Sequence, residues 1–291
     1  MTSQQNTNLG IWLMVAVSFI FAMQDGISRH LAGEYNVFMI IMIRYWFFAA
    51  FVISFATHKS GGLRNAARSQ VTGMQIFRGI LLSLEILVAV TAFVVLGLVE
   101  AHAVFAIYPL LIAALSGPVL GERVGWRRWV AIGIGFVGVL IILQPGYGVF
   151  QIEALIPLLA AFMFAVYGLL NRWVARTDSS AVSFFWTGVS GAIITTGVGF
   201  WYWEPMIASD WAWMALLCVT SACSHYLLIR AYEVAEASAI QPFAYLQLVF
   251  ASTLGIVVFN EVLRPNVAVG AVIVVCAGLF TLWRARVAEQ A

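Results

Sequence analysis

Apolar residues run along this chain in long blocks, without the strict alternation of half-buried strands. A helix needs about 20 such residues to cross the hydrocarbon core of a bilayer. Ten blocks approach that length, near residues 9–32, 36–57, 72–96, 100–120, 126–145, 153–173, 180–203, 210–232, 237–260 and 264–284. The connections are very short, except 58–71 (HKSGGLRNAARSQV), which reads as a loop. Nothing is left over for an extramembrane domain. The pattern predicts an all-α integral membrane protein with ten transmembrane helices.

Composition agrees. Hydrophobic residues make up 63% of the 291 and charged residues 10%, against about 45–50% and 25% in soluble domains. So few charges cannot cover a water-soluble fold of this size. Residues 1–8 (MTSQQNTN) carry no basic segment ahead of the first block, which is therefore read as a retained helix, not a cleaved signal. Cys218, Cys223 and Cys276 lie in apolar stretches without a CxxC pair or a histidine cluster. They read as small buried hydrophobes, and no metal site or cofactor motif is legible. The net charge of +2 gives no sign of nucleic acid, because topology accounts for the basic residues.

With the N-terminus in the cytoplasm, the inner connections and C-terminus hold Lys59, Arg64, Arg68, Arg123, Arg127, Arg128, Arg172, Arg176, Arg230, Arg284 and Arg286. The outer connections hold Arg29 and Arg264. That asymmetry follows the positive-inside rule and puts both termini in the cytoplasm. Trp201, Trp203, Trp211 and Trp213 fall at the outer interface, and Trp126, Trp129, Trp173 and Trp283 at the inner one, as interfacial belts do.

The chain also repeats. SFIFAMQDGISRHLA (18–32) aligns with AFMFAVYGLLNRWVA (161–175), with five identities in fifteen. Further on, VEA (99–101) matches AEA (235–237), and Glu122 matches Glu261. Two halves, 1–147 and 148–291, each hold five spans. An odd number forces the second half into the membrane upside down. Inverted repeats give two related arrangements, each open to one side, around a site near the midplane.

Two segments carry a family resemblance: AxxxxxxxPLLIAALSGPVLGE (101–122) and ASAIQPFAYLQLVFASTLGIVVFNE (237–261). With the two five-helix halves, they resemble the EamA-type branch of the drug/metabolite transporter superfamily. Within that branch the chain is similar to aromatic amino-acid exporters of the YddG type. The resemblance implies a multi-pass carrier of the bacterial inner membrane, with helices 1, 3, 4, 6, 8 and 9 around the cavity. Two positions depart from the pattern: Leu248 stands where Pro109 stands in the first half, and Asn260 where Gly121 does.

Ionisable groups at membrane depth are costly and need a reason. Glu85 is a proton acceptor or an ammonium partner, or else pairs with Arg78 two turns away. Asp25 is a second candidate for proton coupling, or pairs with Arg29 one turn on. Repeat symmetry sets Gln24 against Tyr167. These two, with His102, Tyr108, His225, Tyr245 and Gln247, are the substrate-binding candidates that the resemblance favours, and interhelical hydrogen bonding is their alternative role. Arg44 binds a carboxylate or pairs with a neighbouring helix; its peripheral helix favours pairing. Pro109 and Pro242 free backbone carbonyls or simply kink their helices. Glu122 and Glu261 read as helix caps.

The expected function is secondary transport by alternating access. The expected cargo is amino acids, aromatic or other neutral apolar ones, and related small metabolites, moved outward. A broad drug or cation exporter of the same superfamily is the alternative. Glu85, His102 and His225 offer acid–base groups to a membrane-embedded lipid-modifying enzyme, but no nucleophile motif or HExxH supports one. No filter segment or charge ring marks a channel. No GxxxxGK[ST] segment marks an ATPase. Oligomeric state is not encoded legibly.

Overall fold

A computed structural model describes residues 6–60, 62–121, 125–143, 153, 155–235 and 237–289. All regular elements among the described residues are helical: α1 (Thr7–Glu34), α2 (Val37–Ser60), α3 (Leu63–Ala66), α4 (Thr72–Phe105), α5 (Tyr108–Leu120), α6 (Trp126–Leu143), α7 (Leu155–Val174), α8 (Ser180–Gly199), α9 (Ala208–Val234), α10 (Ala237–Ala244), α11 (Leu246–Phe259) and α12 (Pro265–Glu289). Among the described residues, nine stretches are long and apolar enough to cross a membrane, and Tyr108–Leu120 is a shorter apolar helix. That helix completes a tenth span with the last turns of α4. The protein is a multi-pass membrane protein. Glu122, Arg123, residues 144–145 of the expected fifth span and the expected boundary at 147/148 lie outside the described residues.

Spans 3 and 4 have no loop between them. The helical run Thr72–Phe105 is broken at Gly97, with φ 84° and ψ 171°, a conformation essentially closed to side-chain-bearing residues. The fourth span then runs from Leu98 and breaks again at Ala106, where α5 takes over. Its counterpart, span 9, breaks at Tyr245 between α10 and α11. Pro109 sits in the first turn of α5, where its missing N–H leaves no bond unmade. Leu248 holds the equivalent place in α11, and the break persists, so proline is not required for it.

Both broken spans end alike. Gly121 caps α5 at φ 76° and Asn260 caps α11 at φ 54°, each left-handed. Asparagine tolerates that conformation better than most side chains, which explains how Asn260 replaces glycine without moving the helix end.

Packing follows the inverted repeat. α1 packs most heavily on α9, and its equivalent α7 on α4. α1 also meets α10 and α11, as α7 meets α5. The pairs α2 with α8 and α6 with α12 map onto themselves under the same exchange. The two halves therefore interlock.

Polar clasps join the connections. At one end Tyr35 Oη donates to Asp210 Oδ2 at 2.8 Å, and Asn36 N donates to Glu204 at 2.6 Å. At the other end Asp178, between α7 and α8, accepts from Ser69 Oγ, from Gln70 N at 2.9 Å and from Gln75 Nε2 at 2.9 Å. Burial pushes the Asp178 carboxyl up, but the bonds from Gln75, Ser69 and Gln70, with the Arg78 charge, outweigh it and hold the group below its ordinary range.

Two outcomes are expected. Gly97→Ala costs about 1–3 kcal/mol from backbone strain alone, and its Cβ would meet the Glu261 carboxyl at 2.8 Å. Thermal unfolding in detergent should show a lower midpoint for Gly97→Ala and no loss for Asn260→Gly. Because the native Asp178 pKa is depressed, its stabilisation is fully present above about pH 4, the unfolded value, and fades as pH falls through the native one. Asp178→Asn should therefore unfold earlier than the parent at neutral pH, and the gap should close in acid.

Candidate functional site

A cavity of about 50 Å³ lies within the bundle. A buried water needs roughly 10–15 Å³, so it holds a few waters and no organic solute. Its lining is mixed: apolar walls from Phe21, Phe93, Phe105 and Phe164, and polar groups from Gln24, Asp25, Arg44, Glu85, His102, His225 and Gln247.

Each polar group has a local reason for its position. Gln24 and Asp25 are neighbours on α1 and both are buried. Gln24 Oε1 accepts from Ser224 Oγ of α9 at 3.3 Å. Asp25 Oδ2 lies 3.0 Å from His102 Nε2 and accepts from Gln247 Nε2 at 3.0 Å. His102 Nδ1 lies 3.0 Å from the Leu98 carbonyl one turn back. The His102 ring stacks on Phe93 with centroids 4.8 Å apart. His225 stacks on Phe48 at 5.7 Å and meets Phe21 edge-on at 5.4 Å.

Glu85 is buried in α4 and lines the cavity. Among the described residues it has no hydrogen-bond or ion-pair partner. Arg44 is buried in α2 and its Nε donates to Ser221 Oγ at 2.7 Å. It too has no ion pair among the described residues. A cation and an acid thus share one small cavity, neither neutralised by direct contact.

The structure resolves several alternatives. Glu85 does not pair with Arg78. Arg78 is wholly buried and turned away, bound to Gln75 Oε1 at 2.9 Å, Thr187 Oγ1 at 2.8 Å, Asn171, the Ser183 carbonyl and Tyr167 Oη at 3.3 Å. Two turns on a helix put the residues on one face, but Arg78 turns back to Gln75. Asp25 pairs with His102 and not with Arg29. Arg29 pairs with Glu261 and lies 4.1 Å over the Phe259 ring. Glu261 does cap a helix: its carboxylate accepts from Leu98 N at 2.9 Å and Val99 N at 2.8 Å. The helix it caps is far off in sequence, beginning at the Gly97 break.

Of the substrate-binding candidates, Gln24, Glu85, His102, His225 and Gln247 converge on the cavity, with Asp25. Tyr108, Tyr167 and Tyr245 are not among its lining residues. Tyr108 packs edge-on against Phe164 at 5.0 Å. Tyr167 belongs to the Arg78 cluster and does not face the cavity that Gln24 lines. The Tyr245 hydroxyl is buried without a hydrogen-bond partner among the described residues, in contact with Gly278 of α12. Arg44 bonds a neighbouring helix, as its position favours, through Ser221 of α9, and it also reaches the cavity. Its depth within an apolar span was the signal. The described residues contain no group of three or more metal-ligating side chains.

Comparison with known proteins agrees with this architecture. The EamA-like transporter family matches twice, over residues 8–144 and 151–283. The S-adenosylmethionine uptake transporter of Rickettsia prowazekii (strain Madrid E) is 25% identical over 262 residues, 90% of this chain and 88% of that protein. The riboflavin transporter of Vibrio cholerae serotype O1 is 26% identical over 281 residues, 95% of this chain and 93% of that one. A solved crystal structure superposes with a TM-score of 0.66 over 98% of this chain and 100% of its own, at 17% identity, a likeness of fold alone. None of these relatives is described as an amino-acid exporter. Two five-span halves, each matched in full sequence order, decide the assignment: the chain belongs to the EamA-like transporter family.

Proposed function

We propose that this carrier takes up a zwitterionic organic solute, an α-amino-acid head joined to a flat ring system, by alternating access. S-adenosylmethionine is the first compound to test. The observation that carries the reading is Arg44 and Glu85, a base and an acid on one cavity, without ion pairs among the described residues. Arg44 suits a carboxylate, since its fork of donors matches two oxygens. Glu85 suits an ammonium group. Phe21, Phe93, Phe105 and Phe164 offer faces for a ring, and aromatic faces also attract a sulfonium or ammonium charge. The inward direction rests on the printed names of relatives such as the Rickettsia prowazekii protein.

Two other cargoes fit part of this chemistry. Riboflavin would use the aromatic walls and the amides of Gln24 and Gln247 but leave Arg44 and Glu85 without a partner. A neutral aromatic amino acid, moved outward, would use the same head-group pair with a single ring.

The test is uptake of labelled S-adenosylmethionine into proteoliposomes, with methionine, phenylalanine, tryptophan and riboflavin as competitors. Saturable uptake, competed by amino acids and not by riboflavin, is expected. Arg44→Gln and Glu85→Gln should each reduce uptake about 10- to 100-fold, as loss of a hydrogen bond to a charged group of roughly 1.5–3 kcal/mol predicts. Competition by riboflavin alone, with both variants fully active, would move the cargo to the flavin class. Counterflow of phenylalanine or tryptophan without S-adenosylmethionine transport would restore aromatic amino-acid export.

A further inference from the structure

We propose that the Asp25–His102 pair binds one proton, and that this proton is needed to keep the cavity closed on the side of Glu261. The proposal rests on the carrier reading, but it can be tested without cargo.

The argument counts hydrogens. The Leu98 carbonyl can only accept, so His102 Nδ1, 3.0 Å away, carries a hydrogen. His102 Nε2 and Asp25 Oδ2 then face each other at 3.0 Å. Both atoms carry lone pairs, and a carboxylate oxygen is an acceptor unless protonated. The contact holds only if one proton lies between them. Imidazolium with carboxylate, or imidazole with carboxylic acid, counts the same. Gln247 fixes the carboxyl by donating to the same oxygen. Removal of the proton leaves the imidazole one hydrogen for two acceptors, the Asp25 carboxylate and the Leu98 carbonyl, so one of the two contacts is lost.

That contact ties α1 to the segment of α4 beyond Gly97. One turn along, the same two segments are tied again. Arg29 follows Asp25 by four residues, and Leu98 precedes His102 by four. Glu261 bridges them, pairing with Arg29 and accepting from Leu98 N and Val99 N. The Leu98 peptide belongs to both ties, its carbonyl to His102 and its N–H to Glu261. Loss of either His102 contact therefore loosens the Leu98 peptide that Glu261 holds. The groups facing the pair are Arg44 from α2, Glu85 from α4 and His225 from α9; α7 and α11 contribute no charged side chain to the lining. Beyond the clasp, Glu100 is paired with Arg264 at 2.7 Å.

The distribution of basic residues makes the Glu261 end the outer one. Closure over cargo then takes one proton from the outer water, and reopening on the inner side releases it there. The carrier is a proton–solute symporter, with no redox step and no other reactant.

The experiment uses the full chain in spheroplasts of a bacterial host, with Cys218, Cys223 and Cys276 replaced by serine. Ala89→Cys adds a thiol that lines the cavity. A membrane-impermeant maleimide reports opening to the outside. For one linked proton, the open-to-closed ratio should rise about tenfold per pH unit, and so should labelling once it is divided at each pH by that of the same thiol in the Glu261→Gln variant, which removes the thiol's own ionisation. Asp25→Asn and His102→Gln should flatten that dependence. Glu261→Gln should label fast at every pH. His30→Gln, an exposed histidine on α1, should leave the midpoint unchanged. Labelling of the parent that ignores pH would overturn the proposal, whatever the variants do. So would a pH slope that survives both Asp25→Asn and His102→Gln. In proteoliposomes, S-adenosylmethionine entry should acidify the lumen. Failure of that compound to enter while the labelling slope holds would remove the cargo reading and leave the proton gate. Its entry with flat labelling would do the reverse.

Discussion

In hydrocarbon no backbone N–H and no buried charge can turn to water, so each break in a helix needs a partner inside the protein. The Gly97 break exposes the N–H groups of Leu98 and Val99 where spans 3 and 4 meet. Glu261 takes both of them. Its own charge then needs compensation, which Arg29 supplies. One local demand thus recruits residues from span 1, span 4 and the end of span 9. The conformation of Gly97, the left-handed cap at Asn260 and the position of Arg29 all follow from where that carboxylate sits.

The cavity obeys the same constraint less completely. Asp25 is answered by His102 and Gln247, and Gln24 by Ser224. Arg44 has only Ser221 within bonding distance, and Glu85 has no partner among the described residues. Incomplete satisfaction in so small a space is expensive, and a solute bearing a carboxylate and an ammonium group would complete it. The fully satisfied Arg78 cluster, by contrast, is built as a strut: every contact it makes is internal, and it joins α4, α7 and α8.

Much of the fold was legible because lipid imposes simple rules. Block length gave the spans, and the match of 18–32 to 161–175 gave the repeat. The site was legible only by depth. Gln24, Asp25, Glu85, His102, His225 and Gln247 stand out as polar residues in apolar runs, and all six reach the cavity. Tyr108, Tyr167 and Tyr245 stand out equally and do not line it, because helix rotation and not depth selects which polar side chains face inward. Arg44 bonds a neighbouring helix and still lines the cavity, because its side chain is long.

The sequence by itself determined that this chain lives in a bilayer, crosses it about ten times and does so in two related halves. Those properties depend on composition and spacing, which the solvent reads directly. The tertiary structure decided the pairings: Asp25 with His102 in place of Arg29, Glu261 on Leu98 and Val99, and Arg78 turned away from Glu85. Each is a choice among polar groups of similar depth. Helix rotation and the Gly97 break make that choice, and neither leaves a periodic trace along the chain.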